Sequence, residues 1–65
     1  MSNLNWILVY ESFGHLHFET YDDQGEMYRD YYTIKDIYNV KWMGFKFKGS
    51  KVQEIYEYHT GEKWY

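Results

Sequence analysis

Sixteen of the 65 residues are aromatic, whereas only ten are Ile, Leu or Val and none is Ala. A chain this short buries only about 60% of the surface it exposes when unfolded, so its core is marginal without a staple or added mass. Cysteine is absent, which removes disulfides, Cys-based zinc sites and a thiol nucleophile. The rings must therefore supply the interior. Each can bury about 150–250 Å² with few rotatable bonds to freeze. So many rings also argue against a disordered chain.

This composition favours strands. Tyr, Trp, Phe, Ile and Thr suit a pleated surface, and the best helix former is missing. The expectation is one small globular domain over 1–65, mainly β, with a β-rich α+β arrangement as its variant. Five or six short antiparallel strands would form a meander, curled into a half-barrel or small barrel. Leu4–Glu11 is the first strand, with only Asn5 polar among its inner positions, so both of its faces are expected to be covered. Ser12-Phe13-Gly14 is a tight turn, with Gly14 suited to positive φ. His15–Tyr21 alternates, Leu16 and Phe18 facing the core. Asp22-Asp23-Gln24-Gly25 is a second turn, and Glu26–Thr33 is read as a third strand whose two faces are both mixed.

A short helix is expected near 34–39. Thr33 and Asp36 resemble a capping box, and Tyr32 with Ile37 a hydrophobic staple. Val40–Lys48 returns to strand, with Gly44 marking a bulge or the close approach of another backbone. Met43, Phe45 and Phe47 would fill the core. Val52–His59 and Glu62–Tyr65 read as a final hairpin around Thr60-Gly61, pairing Tyr58 with Trp64. A rival reading makes 50–59 an amphipathic helix: Ser50 and Gln53 cap it, Val52, Ile55, Tyr56 and His59 form its stripe, and Gly61 ends it. The β-branched and aromatic content favours strand.

Chemistry-bearing patterns are few. His15, His17 and Glu19 share one strand face and supply the donor types of some iron and zinc sites. One flat strand seldom converges three ligands, so they read as a solvent face and no metal or other cofactor is expected. Asp22/Asp23 are explained by a turn and Glu54/Glu57 by solvation or cross-strand pairing with Lys, and no serine sits in a nucleophile elbow. No phosphate-binding loop is present. An enzyme is not expected. No apolar run approaches the ~20 residues of a membrane-spanning helix, and the opening residues lack a secretory pattern. A cytoplasmic protein of a bacterial cell or phage-infected host is the expectation.

Charge is uneven at a net −3. Residues 1–34 carry one Arg against six acids, and residues 35–65 six Lys against four. The basic half holds the strand Lys41-Trp42-Met43-Gly44-Phe45-Lys46-Phe47. Its strings Val40-Lys41-Trp42 and Gly44-Phe45-Lys46-Phe47 resemble strand motifs of the cold-shock family, fused here in mid-chain where that family separates them. Nothing of that family's fold or site is carried over. Lysines interleaved with rings nevertheless suit single-stranded nucleic acid, which gives the alternative function, with Lys41, Trp42, Phe45, Lys46 and Phe47 as its binding residues. The leading expectation is a non-enzymatic protein-binding module, an inhibitor or regulator acting by covering a partner protein or a second copy. Nine tyrosines exceed what so small a core can absorb. Tyr28, Tyr31 and Tyr32 would supply the apolar anchor, and Asp22, Asp23 and Glu26 would meet a basic partner surface.

Overall fold

The computed structural model describes residues 3–65. The chain runs β1 (Leu4–Ser12), β2 (His15–Tyr21), α1 (Gln24–Ile34), β3 (Asn39–Phe47) and α2 (Val52–Thr60). The strands form one antiparallel sheet in the order β2-β1-β3. The fold is thus α+β. The antiparallel sheet is as expected, but it has three strands among the described residues instead of five or six, and it does not close into a barrel.

The run Ile7-Leu8-Val9 explains why β1 is central. Successive strand residues point to opposite faces, so three consecutive apolar residues need cover on both. All three are fully buried. At about 1.5–3 kcal/mol each, they contribute on the scale of the whole stability of a domain this size. Ile7 and Val9 pack with Leu16 of β2 and with Val52 and Tyr56 of α2, flanked by Trp42, Ile55 and Trp64. Leu8 points the other way, to the face that α1 covers. Tyr21 pairs with Trp6 and so shares that face, and its hydroxyl donates to Asp30 of α1 at 2.9 Å.

The β1–β2 hairpin has a two-residue loop, since Ser12 pairs with His15. Its central residues both have positive φ, Phe13 at 54° and Gly14 at 80°, the geometry that matches the twist of the flanking strands. Glycine was expected there; a phenylalanine in that region was not.

Several expectations are corrected. Residues 26–33 are helical, not a third strand. Met27, Tyr31 and Ile34 fall at i, i+4 and i+7, one stripe toward the sheet, whereas a strand would leave both faces mixed. Thr33 lies inside α1 and caps nothing. The expected helix at 34–39 is a turn in which the N–H groups of Ile37 and Tyr38 both donate to the Ile34 carbonyl, at 3.0 and 2.7 Å. In β3 the bulge falls at Lys41: Val9 opposes Trp42 while Tyr10 opposes Val40. Gly44 marks neither the bulge nor another backbone: what crowds it is the Trp42 side chain of the same strand, whose ring would lie 2.5 Å from a Cβ there. Met43 is half-buried, but Phe45 and Phe47 are exposed and do not fill the core.

The last hairpin is replaced by α2, the rival reading, although the helix starts at Val52 with Lys51 at the N-cap and no side-chain capping bond, so Ser50 does not cap it. Val52 and Tyr56 are its buried residues. Gly61 sits in the left-handed region at φ 74° and its N–H closes the helix on the Glu57 carbonyl, so it is a helix stop and not a hairpin turn. Tyr58 and Trp64 do not pair. Trp64 instead packs edge-on against Tyr56 (5.6 Å) and Phe18 (5.9 Å), and Tyr58 is exposed. Residues 62–65 fold back on the sheet, where the Leu16 N–H donates to the Tyr65 carbonyl at 2.9 Å.

Candidate functional site

The tyrosines singled out by composition lie on α1. Asp23 holds the N-cap with extended backbone (φ −129°, ψ 135°) and Glu26 lies in the first turn, where acidic charge complements the helix dipole. With Met27, Tyr31 and Ile34 turned to the sheet, helical geometry puts Tyr28, Tyr32 and Lys35 along the adjoining side, at i, i+4 and i+7. Tyr28 is 41% and Tyr32 60% exposed. The rings of Tyr28 and Tyr31 meet edge to face at 6.5 Å, and those of Tyr31 and Tyr32 at 5.3 Å. The Lys35 ammonium lies 5.0 Å from the Tyr32 ring centre and 5.7 Å from that of Tyr31, within cation–π range. Asp22, Asp23 and Glu26 are all exposed at the opposite end of the helix. α1 and the two residues that lead into it therefore carry all six: an acidic tip followed by a tyrosine cluster.

Tyr21 fastens this helix to the sheet. Burial, and then its hydrogen bond to the Asp30 carboxylate, push its hydroxyl well above the ordinary tyrosine value. It therefore stays protonated and donating at neutral pH. Tyr10 is likewise raised, first by burial and then by Glu19. It stacks on both His17 (5.6 Å) and Tyr38 (5.3 Å), tying the turn after α1 to β1 and β2.

The Lys/aromatic strand is split by the sheet. Trp42 turns toward α2 and stacks on His59 at 5.2 Å and 17°. Phe45 and Phe47 pair with Trp6 and Leu4 and so lie on the other face, 53% and 63% exposed. Phe45 meets Trp6 edge-on at 5.9 Å. Lys41 approaches Glu62 at 3.9 Å, and Lys46 lines the clefts on the α2 side. Trp42, Phe45, Lys46 and Phe47 still border one cleft of about 290 Å³ along β3, but Lys41 lies outside it and the Trp42 ring is already stacked on His59.

His15, His17 and Glu19 are exposed on β2, and among the described residues no group of three His, Asp or Glu side chains is placed to hold a metal ion. Among those residues no helix is long and apolar enough to cross a membrane. Glu57, one of the paired acids, accepts the Trp64 backbone N–H at 2.8 Å. Tyr56, at the centre of the core, donates to Glu62 at 3.0 Å. Its hydroxyl is raised by burial and then by that bond. Tyr65 donates to Glu11 at 2.6 Å and is pushed up to about 12, mainly by that bond.

Sequence reasoning missed Phe13. It is 96% exposed at the hairpin tip in a backbone region that bulky residues avoid. The available signal was its place beside Gly14 in a two-residue turn. Comparison with known proteins finds no match: no family model fits the chain, and no curated protein or solved structure is significantly similar to it.

Proposed function

We propose that this chain is a non-enzymatic protein-binding module, an inhibitor or regulator of bacterial or phage type that works in the cytoplasm by covering a partner protein's surface. The observation that carries this reading is the α1 surface, where Tyr28, Tyr31 and Tyr32 form one cluster beyond the acidic tip at Asp22, Asp23 and Glu26. Rings at i, i+3 and i+4 are the anchor spacing of a helix laid into a groove. Tyrosine supplies contact area at low entropic cost, and the acidic end would steer and orient the helix toward a basic rim. The test is capture from bacterial lysate by the wild-type chain and by a Tyr28→Ala/Tyr32→Ala variant, alongside light scattering of the purified chain. A protein retained by the wild type and lost by the variant, or a dimer dissociated by it, is expected. A strict monomer that retains nothing refutes the reading.

A second reading is single-stranded nucleic-acid binding on β3, favoured by exposure of Phe45 and Phe47 beside Lys48. Trp42, stacked on His59, would take no part in it. Titration with an oligothymidylate at low and moderate salt, read by NMR shifts of Phe45–Lys48, decides it. Shifts that vanish steeply with salt support it, and none at low salt removes it.

A further inference from the structure

The face of the sheet that carries Ile7 and Val9 is only partly covered by α2. Beyond Ile7, the next β1 residue on that face is Asn5, paired with Lys46 of β3. α2 begins above this end of the sheet and leaves a cleft of about 510 Å³, lined chiefly by Asn5, Phe18, Thr20, Lys46, Ser50 and Lys51. That size falls within the ~300–1,000 Å³ range of ligand sites. No Asp or Glu is among the described residues lining it.

Its polar groups make two different demands. Lys46 and Lys51 line it, and the Lys46 ammonium, which donates to the Phe47 carbonyl at 3.4 Å, keeps two further N–H groups. Lys51 is also the N-cap of α2, with no side-chain capping bond. The first helical hydrogen bond in α2 runs from the Ile55 N–H to the Lys51 carbonyl, so the N–H groups of Val52 and Gln53 precede it and are directed out of the helix start. These groups call for an anion. Asn5 asks for the opposite. Its Oδ1 is inaccessible to water and has no hydrogen-bond partner among the described residues. Asn5 lines the cleft, and because the Cβ–Cγ torsion of an asparagine is broad, rotation about it is what would bring this acceptor to a donor bound there. Phe18 adds a half-exposed ring on one wall.

We propose that this cleft binds the free C-terminal carboxylate of a peptide. A peptide C-terminus carries the anion, an amide N–H two bonds from the carbon bearing it, and a side chain for the Phe18 wall. The carboxylate sits against Lys46, Lys51 and the start of α2, and the terminal residue's N–H donates to Asn5. Capture of a terminal carboxylate by lysines and backbone N–H groups is an established recognition mode. A phosphate would satisfy the lysines, and its P–OH could donate to Asn5, but it brings no side chain for the Phe18 wall. The site lies across the sheet from α1 and stands independently of the surface proposed there.

The test is an NMR titration of the ¹⁵N-labelled chain with the tetrapeptide acetyl-Ala-Ala-Val-Phe as free acid and as C-terminal amide. The free acid is expected to shift the backbone signals of Val52 and Gln53 and the side-chain amide of Asn5, with the amidated peptide about tenfold weaker or more. Lys51→Ala, at an exposed position, is expected to weaken the free acid about tenfold while leaving the spectrum otherwise folded. Equal binding of acid and amide, no shifts at about 5 mM peptide, or inorganic phosphate binding more tightly than the acid would each overturn the proposal.

Discussion

Replacing Tyr56 by Phe isolates the bond that ties residues 62–65 to the core. The ring stays in place: it is fully buried and meets Trp64 edge-on, and Phe preserves both features. What is lost is the 3.0 Å bond to Glu62. A bond to a charged acceptor is worth about 1.5–3 kcal/mol, but the Glu62 side chain is 56% exposed and water takes over the vacated acceptor. About 1 kcal/mol is therefore the expected loss, or roughly 4–8 °C in Tm for a domain of this size. The loss has a pH signature. The Tyr56 hydroxyl is raised in the fold, first by burial, so it contributes stability that is complete below the unfolded value near pH 10 and fades as pH rises through the folded one. Phe has no proton to lose. Thermal unfolding by far-UV circular dichroism should therefore show the gap between wild type and Tyr56→Phe at pH 7 and a narrowed gap at pH 11. Equal Tm values at pH 7, or a gap unchanged at pH 11, would refute the reasoning. Tyr56→Ala marks the outer limit. It removes the ring at a cost of about 3–5 kcal/mol from a total of about 3–10, and should give broad, poorly dispersed NMR signals.

Gly44→Ala brings a Cβ to 2.5 Å from the Trp42 ring, so the indole must leave its stack on His59; a loss of about 1–3 kcal/mol and an altered near-UV spectrum are expected, and an unchanged spectrum refutes that placement. Tyr21→Phe breaks the bond between β2 and α1 and should cost about 0.5–1.5 kcal/mol at pH 7. Because Tyr21 is also raised by burial, the wild type should lose part of that advantage above pH 10, which urea unfolding at pH 7 and pH 11 checks. Phe13→Asn puts a residue suited to positive φ at the hairpin tip and should raise Tm by a few degrees. A fall in Tm would mean that the exposed ring packs somewhere after all. Zinc or iron added to the wild type should leave Tm unchanged, and a rise would revive a metal site at His15, His17 and Glu19.

Where the sequence was readable, its residues fitted only one period. Leu16 alternates with His15 and His17, so β2 emerges with its observed bounds. The hairpin after β1 needs Gly14, and β3 is displaced by a single residue. Of the six residues expected at a partner surface, Glu26, Tyr28, Tyr31 and Tyr32 lie on one helix, and Asp22 and Asp23 immediately precede it. The signal for that helix was present: Asp23 followed by Glu26 three positions on, then Met27, Tyr31 and Ile34 at helical spacing. It was outweighed by the strand preference of tyrosine. The nucleic-acid set was legible as a pattern, but strand pleat and the Lys41 bulge send its members to opposite faces, which no composition argument reveals.

Sequence alone determined that rings must build the interior, and that Ile7-Leu8-Val9 must lie in a strand covered on both sides, because three successive apolar side chains cannot share one face of a pleat. Tertiary structure decided what covers them. Segments 24–34 and 52–60 carry residues that suit a strand or a helix, and propensities separate the two by only tenths of a kcal/mol per residue. Burying Met27 on one face and Val52 with Tyr56 on the other is worth several times more. The exposed faces of the sheet, not the local sequence, made both segments helices, and so set Tyr28 and Tyr32 of α1 outward and opened the cleft beside Asn5.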